Sequence, residues 1–286
     1  MNRALIFDCD GVLADTERDG HLVAFNRLFA ELGLGLQWSL EQYAGLLRIA
    51  GGKERLLSLF SDRDWAAAHG FPELPAEQGT LVASWHRRKT EIFRELVVEG
   101  RLSARPGVAR LAAEAEAAGW QIAVASTAGE PAVQAIVEHV FSTDLAWGVS
   151  VFAGDIVEHK KPAPDVYLVA LAQLGRTPAE VCVIEDSRQG LLAALAAGCP
   201  TVITPSTLTV GEGFAGAALV IDCLGDAGHP MRVLGTELRR EPVGTVTLAV
   251  VEEVIAWAAS CPEGAPGRFR SWSTIRSSGE PPPDSR

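Results

Sequence analysis

Asp8 and Asp10 stand at the end of the apolar run Arg3-Ala4-Leu5-Ile6-Phe7, with Gly11 directly after them. Such a run reads as a buried strand. Strand alternation would put both carboxylates on the same side, roughly 6–7 Å apart at ~3.3 Å per residue, with Cys9 pointing the other way. Two carboxylates that close repel, and one takes up a proton unless a cation lies nearby. A hard divalent ion such as Mg2+ keeps both ionised, because it prefers oxygen ligands. Gly11 lets the backbone turn sharply out of the strand. Glu185 and Asp186 repeat the arrangement after a second apolar run, 181–184. They would add carboxylate oxygen to the same ion, Asp186 directly and Glu185 either directly or through water. Ser126 and Thr127 follow a third apolar run, 121–125, where a hydroxyl and backbone N–H groups at a strand-to-helix turn suit a phosphate oxygen. Lys160 and Lys161 lie in a proline-restricted loop and supply positive charge.

These residues must be brought to one edge, and the rest of the chain has the pattern to do so. From residue 105 onward, helical periodicity alternates with short apolar runs at 121–125, 149–152, 181–184 and 201–203. That alternation predicts an α/β fold, a doubly wound, Rossmann-like parallel sheet with helices on both faces. In such sheets ligands bind beyond the carboxyl ends of the strands, where all of these side chains would meet. Between the first run and this core, Leu22, Phe25, Leu28, Phe29 and Leu32 recur at three- and four-residue spacings, and no strand pattern interrupts the segment. The expected organisation is a core of residues 1–15 and 99–232 with an all-helical insertion over 16–98. A C-terminal extension follows at 233–261, with a helix over 246–259. Residues 262–286, rich in Pro, Ser, Gly and Arg, are expected to be disordered.

Bulk properties narrow the partners. At 286 residues the chain can bury a large core, and 48% hydrophobic with 21% charged residues describes an ordinary globule. A formal charge of −11 argues against nucleic acid or an anionic membrane. A phosphorylated substrate would also be repelled, so its site must supply local positive charge. The five cysteines (Cys9, Cys182, Cys199, Cys223, Cys261) show no paired or metal-ligand spacing, which points to buried thiols in a reducing compartment. The first strand starts almost at Met1 and no apolar run approaches ~20 residues, so a cytoplasmic monomer without leader or membrane span is expected.

The stretch Phe7-Asp8-Cys9-Asp10-Gly11-Val12-Leu13-Ala14-Asp15-Thr16-Glu17 resembles the first motif of the haloacid dehalogenase-like phosphatases. Ser126-Thr127, Lys160-Lys161-Pro162 and Ile184-Glu185-Asp186-Ser187 resemble the second, third and fourth motifs, in the same order over roughly residues 1–225. The resemblance implies that Asp8 accepts a phosphoryl group and that Asp10 is the general acid and base. It further implies that Ser126 binds the phosphoryl group and that Lys161 bridges it to the nucleophile. Asp10 would also give its backbone carbonyl to the metal. Such a transfer needs an in-line carboxylate, neutralised equatorial oxygens and a proton for the leaving oxygen, and each need has a candidate here.

The helical insertion looks like the superfamily's cap domain, which closes over the site and reads the substrate. Glu17 and His21, four residues apart, would share one face of its first helix. Gly51 and Gly52, before an expected helix over 53–60, would present backbone N–H groups to an anion, with Arg48, Lys53 and Arg55 adding charge. This cluster suggests a substrate with two phosphates, one cleaved and one gripped by the insertion. Phe25-Asn26, the segment 51–55, Lys89-Thr90-Glu91 and Phe152-Ala153-Gly154-Asp155 are similar to CbbY-type sugar-bisphosphate phosphatases. That likeness implies a Mg2+-dependent conversion of xylulose-1,5-bisphosphate to xylulose 5-phosphate, removing an inhibitor of Rubisco. Two rivals stand beside it. A β-phosphoglucomutase-like enzyme would hand the phosphate back to a sugar. A receiver-like phosphoacceptor would not turn it over, but it would need neither the insertion nor Asp10.

Overall fold

Ala4–Phe7 is four apolar residues with no polar face, and it forms the central strand β1, all four side chains fully buried. The computed structural model describes residues 3–49, 51–154 and 156–260; the expected tail 262–286, Cys261, Ala50 and Asp155 lie outside them. Six more strands complete the sheet: β2 Gln121–Ala125, β3 Ser150–Phe152, β4 Val181–Glu185, β5 Thr201–Ile203, β6 Leu219–Ile221 and β7 Val233–Thr236. Their order is β3-β2-β1-β4-β5-β6-β7, parallel throughout except for β7, which runs antiparallel to β6. This is the expected α/β class. β1 is paired on both sides, Phe7 opposite Val124 of β2 and opposite Ile184 of β4. The chain runs outward from β1 to β3, then crosses back to β4, so strand order reverses beside β1. Crevices at such reversals are where these sheets bind ligands.

The described residues form two compact units, one from residues 3–14 and 104–260 and the other from residues 15–103. In the second, a π-helical turn Glu17–His21 leads into α1 Leu22–Glu31, followed by α2 Leu40–Leu46, α3 Gly52–Leu57, α4 Arg63–Ala68 and α5 Pro75–Val98. α1 buries Leu22, Ala24, Phe25, Leu28 and Phe29, and it packs along α5. Phe25, Phe29, Trp38 and Tyr43 close the core as an aromatic cluster. Ser39 and Gln42 start α2 with reciprocal side-chain-to-backbone bonds, a strong local start signal. The helix expected over 53–60 is shorter than its periodicity suggested: α3 stops at Leu57 and the chain tightens into a 3-10 turn, Ser58–Ser61.

The first unit continues with α6 Val108–Ala117, α7 Glu130–Val140, α8 Thr143–Gly148, α9 Asp165–Leu174, α10 Arg188–Ala196 and α11 Leu248–Ser260. Val166, Tyr167, Ala170 and Leu171 of α9 meet Ala4, Ile6, Ala123 and Val183 of the sheet in one cluster, with Ala193 and Ala194 of α10. Burying a Val, Leu or Ile side chain contributes about 1.5–3 kcal/mol. The chain beyond residue 232 does not stand apart, as a separate extension would. β7 joins the sheet through β6, and α11 packs on α6 and β4. No helix separates β5, β6 and β7, so the strand–helix alternation that marked the other strands does not mark β6 or β7, and α8, at six residues, is too short to show a helical period. Cys9, Cys182 and Cys199 are buried and free, whereas Cys223, just past β6, is partly exposed. No helix among the described residues is long and apolar enough to cross a membrane.

Candidate active site

Four neighbouring strands, β3, β2, β1 and β4, bring the chemistry to one edge. Asp8 directly follows β1, and its backbone N–H still donates to the Ile184 carbonyl at 2.9 Å. Ser126 follows β2, Glu185 ends β4 with Asp186 next, and Lys161 lies in the loop after β3. Asp8, Ser126, Glu185 and Asp186 are buried, although every one of them is polar.

Lys161 holds the group together. Its Nζ donates to Asp8 Oδ1 at 2.6 Å, to Glu185 Oε1 at 2.7 Å and to the Ala125 carbonyl at 3.0 Å. Burial alone would lower its pKa, but the charges of Asp8 and Glu185 outweigh that and raise it well above the usual lysine value. Glu185 is fully enclosed and well satisfied: Tyr167 donates its hydroxyl to Oε1 at 2.6 Å, and the Asp186 N–H donates to Oε2 at 3.0 Å. One oxygen each of Asp8, Glu185 and Asp186 lies within 4.8 Å of the others. Burial pushes the Asp8 carboxyl up to about 7 against the pull of Lys161, and it raises Asp186 well above the carboxylate range, with Glu185 and Asp8 adding to it. Three buried carboxylates thus face one ammonium in this group. A hard cation with oxygen preference fits such a donor set.

Asp10 is placed differently from the strand-based expectation. β1 ends at Phe7, and Asp10 lies in the following turn, half-buried and bridged to Ala14. Strand alternation therefore does not extend to it, and it is not one of the three clustered carboxylates. Its expected part at a metal, through the backbone carbonyl, is separate from that grouping. Gly11 turns with φ 81°, and a Cβ there would stand 2.1 Å from Asp186 Oδ2, so only glycine lets the turn pass this close. Ser126 Oγ accepts the Ala128 N–H at 3.1 Å, with Thr127 half-buried in the same turn. The hydroxyl therefore organises the turn as a cap does, and its own proton can still be donated. Of the paired lysines, Lys160 is exposed on the loop surface and Lys161 is enclosed.

In the inserted unit the remaining candidates fall into two groups. Glu17 accepts the Tyr43 hydroxyl at 2.5 Å, and Arg55 donates to the same hydroxyl at 2.9 Å and to the Ile49 carbonyl at 3.2 Å. The Arg55 guanidinium, expected to meet an anion, is thus used inside the unit. His21 lies 2.8 Å from Lys89 Nζ and packs on Phe93, so Glu17 and His21 each have partners of their own. Arg48, Gly51 and Lys53 are exposed, and Gly52 begins α3. Glu54 reaches back so far that a Cβ on Gly51 would lie 2.0 Å from its carboxylate, which places a negative group at that helix start.

Tyr167, Tyr43, Lys89, Arg105 and Thr209 carry contacts that the sequence reading did not assign. Tyr167 had one usable signal: a tyrosine on the apolar face of a predicted helix needs a partner for its hydroxyl. The others act across separations of tens to more than a hundred residues, which leave no local pattern.

Comparison with known proteins agrees with the geometry. A family profile described as haloacid dehalogenase-like hydrolase matches residues 2–198. Protein CbbY from Cereibacter sphaeroides is 40% identical over 229 residues, covering 80% of this chain and 95% of that protein. A CBBY-like protein from Arabidopsis thaliana is 44% identical over 223 residues, 78% of this chain and 69% of its own. Among solved structures, a CbbY mutant from Rhodobacter sphaeroides in complex with xylulose-(1,5)bisphosphate matches with a TM-score of 0.66 at 38% identity, covering 80% of this chain and 98% of that one.

Proposed function

The chain belongs to the haloacid dehalogenase-like hydrolase family as a CbbY-like phosphatase, and from that premise we propose that it hydrolyses a sugar bisphosphate with Mg2+ as cofactor. The substrate we assign is xylulose-1,5-bisphosphate, which the related CbbY holds in its crystal, with xylulose 5-phosphate as product and relief of Rubisco inhibition as the consequence. The observation that carries the reading is the Lys161 ammonium set between Asp8 and Glu185, with Asp186 alongside.

Asp8, Asp186 and the backbone carbonyl of Asp10 would hold the ion, with Glu185 behind them. When bound, Mg2+ supplies positive charge to the phosphoryl oxygens. A carboxylate oxygen of Asp8 attacks phosphorus as the bond from phosphorus to the sugar oxygen breaks, and Asp10 gives its proton to that oxygen. Asp10 then takes a proton from water, which attacks the phosphorus and frees Asp8 and inorganic phosphate. Ser126 and the Thr127 turn hold phosphoryl oxygens, and the Lys161 charge, fixed beside Asp8, attracts them. Glu185 keeps Lys161 in place, since both of its oxygens already accept hydrogen bonds. In the helical unit, the exposed Arg48 and Lys53 would meet the second phosphate once the Glu54 carboxylate swings away from Gly51 and Gly52, and Glu17 and His21 would address the sugar; in the core, Lys160 would add charge.

Incubation with a panel of pentulose and hexose bisphosphates tests this. The expected result is release of one inorganic phosphate from xylulose-1,5-bisphosphate, leaving the 5-phosphate. An isomerised monophosphate instead would mark a β-phosphoglucomutase-like enzyme. Lys53→Ala should raise KM for bisphosphates at least about tenfold, the cost of one charge-assisted bond, and leave p-nitrophenyl phosphate hydrolysis nearly unchanged. Equal losses on both substrates would remove the second-phosphate assignment.

A further inference from the structure

Arg105 is tied to backbone carbonyls from three separate stretches of the first unit. Its Nη1 donates to the Gly11 carbonyl and, at 2.5 Å, to that of Thr204, and also reaches Thr204 Oγ1 at 3.1 Å. Its Nη2 donates to the carbonyls of Pro205 at 2.9 Å and Asp222 at 2.6 Å. A planar fork with two terminal nitrogens can serve four acceptors in fixed directions, and a lysine ammonium cannot.

Two of these stretches form the walls around Asp186. Gly11 is one: the position of its missing Cβ lies 2.1 Å from Asp186 Oδ2 and 3.1 Å from Ser206 Cβ. The loop after β5 is the other. Ser206 donates its N–H to Thr209 Oγ1 at 2.8 Å, and Thr209 Oγ1 lies 2.8 Å from the Asp186 carbonyl and 3.2 Å from Asp186 Oδ2. Gly11 also follows Asp10 directly, so fixing the Gly11 carbonyl fixes the turn that carries the Asp10 carbonyl. Lys161 organises Asp8 and Glu185, and one guanidinium locks both sides of Asp186.

We infer that Arg105 is a positioning residue for the Asp186 half of the metal site, acting through the Gly11 turn and the loop 204–209. The inference rests on the reading of that site as a Mg2+-dependent phosphatase. Residues that orient metal ligands from behind are typically worth about 10–100-fold in metal affinity or activity. Arg105→Lys should therefore weaken Mg2+ binding by about that factor in calorimetry, with kcat recovering toward wild type at high Mg2+.

Arg110→Lys is the control. Its guanidinium also ties carbonyls together, those of Leu224, Gly225 and Val246, away from the Asp186 walls. Mg2+ affinity should hold in that variant even where stability falls. Equal weakening in both would mean general softening of the fold and would overturn the inference, as would an Arg105→Lys protein that binds Mg2+ like wild type. If Arg105→Lys does not fold, Thr209→Val cuts the same connection next to Asp186, and an unchanged Mg2+ affinity there is equally fatal. A wild-type enzyme that neither binds Mg2+ nor releases phosphate would instead defeat the underlying reading of the site.

Discussion

Lys161 is fully engaged, since its three donors point at Asp8, Glu185 and the Ala125 carbonyl. Its positive charge is therefore fixed where phosphate oxygens would gather, with no reorganisation needed at the moment of reaction. This answers the requirement set by the acidic composition: a chain of charge −11 concentrates a cation at one buried point. Asp8→Asn leaves that cation paired with Glu185 and removes the proposed nucleophile. Phosphate release should drop by on the order of 10³-fold or more, with the far-UV dichroism unchanged. Retention of a tenth of the activity would show that Asp8 does not accept the phosphoryl group.

Helix α10 reaches the site by coming unusually close to β4. A Cβ on Gly190 would stand 1.9 Å from the Glu185 carboxyl carbon, and that carboxylate has no room to move without losing Lys161, Tyr167 and the Asp186 N–H. Gly190→Ala should destabilise the fold by about 1–3 kcal/mol, the usual cost of overpacking, seen as a lower urea midpoint. Gly129→Ala is the matching control, because it meets nothing within 4 Å and its φ of −63° suits any residue. Helix α5 makes a pH-dependent counterpart in the other unit. Burial, with Lys89 and Lys53 nearby, lowers the His86 pKa to about 4, and Glu54 opposes this only weakly. An unfolded chain takes up that proton near 6.5, so acid favours unfolding between those values. Stability from this group is complete above 6.5 and is lost as pH falls toward 4. His86→Gln should narrow the gap between urea midpoints at pH 7 and pH 5; an unchanged gap would show that His86 contributes nothing to it. His21, whose pKa burial and Lys89 also depress, keeps part of the slope in that variant.

At the scale of the whole molecule, a metal held by groups at the ends of β1 and β4 would join the two central strands of the sheet. Mg2+ should then raise Tm, since a ligand at 100 times its Kd adds about 2.7 kcal/mol. EDTA should abolish turnover and reverse the shift, and restored Mg2+ should recover both; a Tm insensitive to Mg2+ and EDTA would argue against a cation among these carboxylates. The sequence alone determined the α/β class, the central strand and the helical insertion, because apolar periodicity is a local property that burial enforces. It also singled out Asp8, Ser126, Lys161 and Asp186, because each closes or follows an apolar run or a proline-bound loop. Asp10 was assigned to a strand that in fact stops three residues earlier, and Arg55 to an anion, although Tyr43 and Ile49 engage it. β6 and β7 follow β5 with no helix between them, so no alternation marked them, and α8 was too short to show a period. Only tertiary structure decided that Tyr167 braces Glu185, that Arg105 locks the walls of Asp186, and that α10 can approach only through a glycine. Those contacts join residues up to 117 positions apart, and their energy depends on distance and burial, which no stretch of sequence contains by itself.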